Sequence, residues 1–201
     1  MGSDNFQRGE QTRVEIIRAA HMLFVQQGYH GTSMRQIAKQ AGIALGGLYN
    51  HFSGKEAVFS TVFLEYHPYH EVLPAVLDAS GETIEEYVRA VAARMHETLE
   101  RRPDFMRLMF IEVVEFNSTH IRQLFSEMLP ELLGLAERIQ ATDRAKLRPI
   151  SQLLLIRVYF GVLFGYYLTE IIMAENTPEA FSEDAWDTFI NVYLHGILRD
   201  S

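Results

Sequence analysis

The sequence predicts an all-α protein in which an N-terminal three-helix domain carrying a helix-turn-helix precedes a larger helical bundle. Three observations predict it: apolar residues recur at helical spacing along nearly the whole chain, the alternation of half-buried strands is absent, and glycine and proline fall between the periodic segments. With 201 residues, 48% of them hydrophobic, the chain can bury an ordinary core without staples or metals. It has no cysteine, which excludes disulfide frameworks, thiolate metal sites and cysteine nucleophiles, and fits a reducing compartment, by default the cytoplasm.

Residues 1–11 read as a polar N-terminal tail. The first helix is expected from about Thr12 to Gln27, burying Ile16, Ile17, Ala20, Leu23 and Phe24, with Gly28 as a left-handed C-terminal cap. Ser33 followed by Gln36 is a capping-box pattern, which opens a second helix running to about Ala41. Gly42 breaks that helix after barely two turns, Ile43 plugs the corner, and a third short helix follows from about Ala44 to Phe52. Two short helices around a glycine turn form a helix-turn-helix over residues 33–52. Ser53-Gly54 ends the unit, dividing the chain into domains 1–54 and 55–201. Further helices are expected at about 55–66, 69–78, 82–101, 104–116, 119–140, 149–174 and 182–198, with the prolines at 68, 74, 103, 130, 149 and 178 marking ends or kinks.

The net charge of −8 is unevenly spread. Residues 1–60 carry six basic side chains (Arg8, Arg13, Arg18, Arg35, Lys39, Lys55) against four acidic ones (Asp4, Glu10, Glu15, Glu56), whereas residues 61–201 hold 12 basic and 22 acidic groups. Any phosphate contact is therefore expected in the N-terminal quarter. The polar start is neither a secretory signal nor a transit peptide, and Phe6 removes an acylation signal. Leu153–Ala174 looks membrane-like, yet Arg157 and Glu170 interrupt it and leave an uncharged run short of the roughly 20 residues a bilayer needs. It is read as a buried helix, with no membrane association.

Ile17 to Phe59 reads IRAAHMLFVQQGYHGTSMRQIAKQAGIALGGLYNHFSGKEAVF. The AA-x-x-LF of the first helix, the GY turn, the T-S-x-R-x-IA-x-x-AG of the second, the LY-x-HF of the third and the following K-E resemble the DNA-binding domain of the tetracycline-repressor (TetR) family. The resemblance implies a ligand-responsive transcriptional repressor that binds double-stranded operator DNA as a homodimer. It assigns Ser33, Tyr49, His51 and Lys55 mainly to phosphates and Arg35 to a base or phosphate. It also implies that residues 55–201 form a helical effector-binding and dimerisation bundle.

The residues bear a physical reading of their own. A helix fits the major groove and presents side chains to base edges. Helical spacing places Ala44, Leu45, Gly46, Gly47, Tyr49, Asn50 and His51 on the exposed side of the third helix, with Leu48 and Phe52 on the core side. Arg35 is exposed on the second helix, because its neighbours Met34, Ile37 and Ala38 take the buried face, and its guanidinium suits bidentate contact. The structural alternatives are that Tyr49 and His51 close packing against the fourth helix and that Lys55 is a plain surface lysine. Where the family often places a hydroxyl residue, a lysine, a glycine and a small hydroxyl residue, this chain has Ala44, Leu45, Gly46 and Gly47. Base readout is then expected from Leu45 or Ala44 against a thymine methyl, with the glycines admitting close backbone approach.

The C-terminal body is rich in aromatic and methionine side chains: Phe63, Tyr66, Tyr69, Phe105, Met106, Met109, Phe110, Phe116, Phe160, Phe164, Tyr166 and Tyr167. Such residues line apolar cavities and pack cores alike. Phe63, His67, Met106, Phe110, Phe164 and Tyr167 are the candidate effector contacts. No metal or cofactor is expected: Pro68 interrupts the His67–His70 pair, and Arg107, Glu112 and Glu115 fall on one arc, as a solvated stripe does. The last two helices, 149–174 and 182–198, are the candidate dimer interface, with Gly161 and Gly165 permitting close approach.

An enzyme is disfavoured, since none of the eight histidines has Glu three residues before it and nucleophile and phosphate-loop motifs are missing. The remaining alternative is a helical small-molecule-binding or protein-interaction module without DNA binding.

Overall fold

The computed structural model describes residues 2–142, 145–173 and 185–199, with side chains from Gln7 onward. Of the expected last two helices, Ala174 and residues 182–184 lie outside the described residues, as does Pro178. The described residues form ten helices and no strand, with one isolated bridge between Leu147 and Leu198. They are α1 (Gly2–Gly31), α2 (Met34–Gln40), α3 (Leu45–His51), α4 (Lys55–Tyr66), α5 (Tyr69–Leu77), α6 (Ile84–Glu100), α7 (Phe105–Glu115), α8 (Thr119–Thr142), α9 (Gln152–Met173) and α10 (Ala185–Ile197). Pro74 and Pro130 lie inside α5 and α8, whereas Pro68 is the residue before α5.

α1 starts well before Thr12. Its first turns carry no apolar stripe; beyond them the Thr12 hydroxyl donates to the Arg8 carbonyl at 2.8 Å and Gln11 donates to Glu15 at 2.9 Å. Gly28 does not adopt the expected left-handed cap. Its φ of 74° and ψ of 178° fall in a region open essentially to glycine, and the helix kinks there.

The helices sort into two compact units, Met1–His67 with Asp104–Leu124, and Pro68–Pro103 with Phe125–Ser201. In the first, α1 contributes Ile16, Ile17, Ala20 and Phe24, α2 Ile37 and Ala38, α3 Leu48, and α4 Val58, Phe59, Val62 and Phe63, all buried. Leu23 is only half-buried. Phe59 meets Phe24 edge-on at 5.3 Å and stacks on Phe116 at 4.6 Å, so aromatic geometry fixes α1, α4 and the end of α7 together.

On α7 the structure departs from the expected solvated stripe at Glu112, while Arg107 is exposed as expected. Glu112 is fully buried, while Val113 and Val114 are 43% and 70% exposed. The wheel reading of Glu112 as part of a solvated stripe is corrected: the chain turns back after α7 and brings the start of α8 over that side chain, which a helical wheel cannot see.

In the second unit α6 opens with a full capping box between Thr83 and Glu86. It packs against α5 and α10, and α10 against α9. α9 is not the buried helix the apolar run predicts. Only Leu155, Ile156 and Tyr166 are buried, whereas Leu153, Leu154, Val158, Ile171 and Ile172 are 41–68% exposed. By length and composition alone α9 could cross a membrane.

Candidate nucleic-acid interface

The α2–α3 corner is built by local chemistry. Ser33 caps α2: its hydroxyl accepts from Gln36 N at 3.3 Å, and its own N–H donates to Gln36 Oε1 at 2.8 Å. At the other end Gly42, with φ 71°, takes a conformation that a side chain resists. Ile43 N–H donates to Ala38 O at 3.0 Å and Gly42 N–H to Lys39 O at 3.2 Å. Those two bonds are a Schellman motif, which satisfies the last carbonyls of α2 and sets the exit angle toward α3. Ala44 precedes α3 without a side-chain cap.

Leu48 at 0% and Phe52 at 6% exposure fix α3 to the core, as its periodicity predicts. Tyr49 is then 52% exposed, and Ala44, Gly46 and Asn50 are exposed beside it, while Leu45, Gly47 and His51 are half-buried. A Cβ added to Gly46 or Gly47 would meet nothing, so both glycines face open space. Arg35 and Ser33 are exposed on α2, and Arg35 has no ion-pair partner among the described residues. Arg13 clamps the far end of α3, with its guanidinium 5.8 Å from the Phe52 ring and bonded to Glu65 on α4 at 2.9 Å.

Lys55 is engaged within the fold. Its ammonium donates to Tyr29 O at 2.7 Å and Thr32 O at 2.9 Å and lies 4.1 Å from the centre of the Tyr29 ring. Burial lowers its pKa from the usual lysine value, against the opposing charge of Glu115. The lysine thus closes the turn between α1 and α2. Sequence reasoning missed its partners Tyr29 and Thr32, since nothing local marks a carbonyl as the acceptor of a side chain more than 20 positions away.

The six residues expected around an effector divide between the two units. Phe63 and Met106 are core residues of the first unit, where His67 packs edge-on against Phe63 and Phe105, and Phe110 belongs to the same unit. Phe164 and Tyr167 belong to the second, Phe164 38% exposed and Tyr167 hydrogen-bonded to His96 Nδ1 at 3.1 Å. The apolar cavity of the second unit is lined by none of the six. No group of three or more metal-ligating side chains occurs among the described residues.

A short helix pinned from below and bare on its outer face, after a capped helix and a glycine turn, defines a helix-turn-helix domain of the kind DNA-binding regulators carry. That segment is of the bacterial tetR family: residues 16–62 match the model of "Bacterial regulatory proteins, tetR family". The chain is 41% identical over 63 residues to the transcriptional regulator UidR of Escherichia coli K12, covering 31% of this chain and 32% of that protein. It thus spans about a third of the length of such curated relatives. The whole fold is similar to FadR, a fatty acid degradation regulator from Bacillus halodurans, with TM-score 0.71 and 20% identity over 90% of this chain and 94% of that one. It is also similar to NalD of Pseudomonas aeruginosa, the secondary repressor of the MexAB-OprM multidrug efflux pump, with TM-score 0.67 and 20% identity over 97% and 100%.

Proposed function

We propose that the protein is a cytoplasmic transcriptional repressor that binds double-stranded operator DNA as a homodimer and is released by a small apolar or aromatic effector. The observation that carries this reading is the outer face of α3, exposed at Tyr49 and Asn50 over a core side held by Leu48 and Phe52. NalD, of similar fold, is named a repressor, which supports the sign of the regulation.

In this reading α3 enters the major groove. Asn50, Ala44 and Leu45 meet base edges and thymine methyls, and the open faces of Gly46 and Gly47 let backbone come close. Ser33, Tyr49 and His51 grip phosphates, which fixes register without reading sequence. Arg35 contacts a base or phosphate. Lys55 contributes by holding the turn that orients α2, since two of its ammonium N–H groups are already spent on carbonyls.

The apolar stripe of α9, running through Leu154, Val158, Gly161 and Ile172, joins Val192 of α10 as the face for a second copy. A two-fold pair spaces two α3 helices about one duplex turn, roughly 34 Å, apart. In this reading the partner of α9 is a second copy of the chain rather than lipid. Effector binding in the C-terminal body shifts α4 as a lever and spoils that spacing, by as much as the effector prefers one state over the other.

The test is a gel shift of the full chain against DNA flanking its own gene at fixed salt. The wild type is expected to bind as a dimer, and Arg35→Ala to weaken binding by about 10–100-fold with helicity and oligomeric state unchanged. Equal affinity of the variant would remove Arg35 from the site. Absence of any sequence preference would sink the regulator reading in favour of a module without DNA binding.

A further inference from the structure

The second unit has a partly open apolar cavity lined from α5, α6, α8, α9 and α10, with Val76, Val91, Met95, Ala136, Ile156 and Phe160 in its wall. No charged side chain lines it among the described residues, and its polar side chains are those of Tyr159 and Tyr193. The two rings meet edge-on at 5.3 Å. Their hydroxyls differ. Tyr193 donates to the Leu155 carbonyl at 3.4 Å, whereas the Tyr159 hydroxyl, though part of its ring reaches the surface, is buried with no partner among the described residues.

A buried hydroxyl without an acceptor is a rare and costly arrangement, recovered when a bound molecule brings one. Burial, with Tyr193 and Tyr167 nearby, pushes the Tyr159 phenol far up, so it remains a proton donor across the physiological range. An anion or cation entering this wall would lose its hydration and find no counter-charge. The Tyr87 hydroxyl is also without a partner among the described residues, but that side chain does not line the cavity.

We propose that this cavity is the effector site and that Tyr159 reads the effector: an uncharged, largely apolar molecule with one hydrogen-bond acceptor, such as a ketone or ester oxygen, that takes the phenolic proton. The inference rests on the effector-responsive reading above and names the chemistry of its ligand. Chain length and ring content are set by the apolar wall, while the single hydroxyl sets where the one oxygen sits. It moves the ligand contacts from the six residues expected from composition to Tyr159 and the aliphatic wall.

The experiment uses the full chain without DNA and three probes of one shape: 4-phenylbutan-2-one, butylbenzene and 4-phenylbutanoate, each titrated by calorimetry. The ketone is expected to bind about tenfold tighter than the hydrocarbon, and the carboxylate not to bind. In Tyr159→Phe the hydrocarbon keeps its affinity and the ketone loses its advantage. The variant unfolds at the same or a higher temperature, since the hydroxyl has no protein partner to lose. A ketone preference that survives in Tyr159→Phe, carboxylate binding equal to the ketone, or no binding of ketone and hydrocarbon alike overturns the proposal. Ketone binding that leaves operator affinity unchanged supports the Tyr159 site and overturns the release mechanism instead.

Discussion

Glu112 grips His120 twice, accepting its backbone N–H and its Nδ1, each at 2.7 Å. Ile121 N–H adds a third, longer bond at 3.4 Å. These amides belong to the first turn of α8, whose N–H groups have no intrahelical acceptor, so a fully buried carboxylate on α7 caps the next helix. The connection is tight: Asn117 and Ser118 both have positive φ, 50° and 60°, a conformation non-glycine residues resist. The His120 ring in turn lies 6.4 and 6.1 Å from Phe59 and Phe63, so the corner is packed against α4.

Removing that acceptor should be among the most damaging single changes in the first unit. Glu112→Ala strands two backbone donors and a ring N–H in a closed interior and releases a strained turn, a loss of about 3 kcal/mol. Glu112→Gln, which keeps an acceptor oxygen, should lose clearly less. Denaturant unfolding of the two variants beside the wild type measures both. A loss under about 1 kcal/mol for Glu112→Ala would mean that the corner is held by its apolar contacts instead.

What the sequence made legible follows from how far apart the interacting groups lie. Ser33 and Gln36, or Gly42 and the carbonyls of Ala38 and Lys39, are within a few residues of each other, so the caps and the corner of the helix-turn-helix could be read directly, and with them the core side of α3. The polar start of α1 was hidden because it carries no apolar stripe. Glu112 was misread, and the partners of Lys55 were missed, for the opposite reason: those partners come from other helices or turns, and a wheel drawn on one helix assigns a carboxylate to solvent by default. The cavity was illegible too. Composition marks Phe63, Phe164 and Tyr167 as apolar, but only packing decides that Phe63 fills a core, that Phe164 reaches the surface, and that Tyr159 faces a cavity.

The exposed stripe of α9 makes the proposed dimer testable without disturbing the monomer. Leu154 and Val158 lie one turn apart and are 46% and 41% exposed, so Leu154→Glu with Val158→Glu adds charge at no cost to the core. In a two-fold interface these positions meet their own copies or close neighbours, and like charges there cost several kcal/mol. The dimer dissociation constant should rise more than about 100-fold, giving monomers in sedimentation experiments with helicity retained. Operator affinity should fall with it, since one particle no longer holds both half-sites. A variant that stays dimeric would move the interface off α9.

The tyrosines of the second unit predict where alkali unfolds it. Burial, helped by Glu170 and Glu100, pushes the Tyr166 phenol up to about 12, and burial raises Tyr159, Tyr167 and Tyr193 further. In an unfolded chain a phenol titrates near 10. Between those values the folded state keeps protons that the unfolded state has released, so stability falls as pH rises. The contribution is therefore intact below about pH 10 and is lost as pH climbs through 12. Several phenols acting together make the loss steep, and tyrosinate absorbance should appear in the same narrow interval in which helical circular dichroism disappears. Lysines and arginines titrate in that range as well, so the attribution rests on variants: Tyr159→Phe and Tyr193→Phe each remove one raised phenol and should move the midpoint to higher pH. Tyrosinate that rises smoothly around pH 10 while the helices persist would show that these hydroxyls reach solvent in the folded protein, and the burial of the Tyr159 hydroxyl would fall with them.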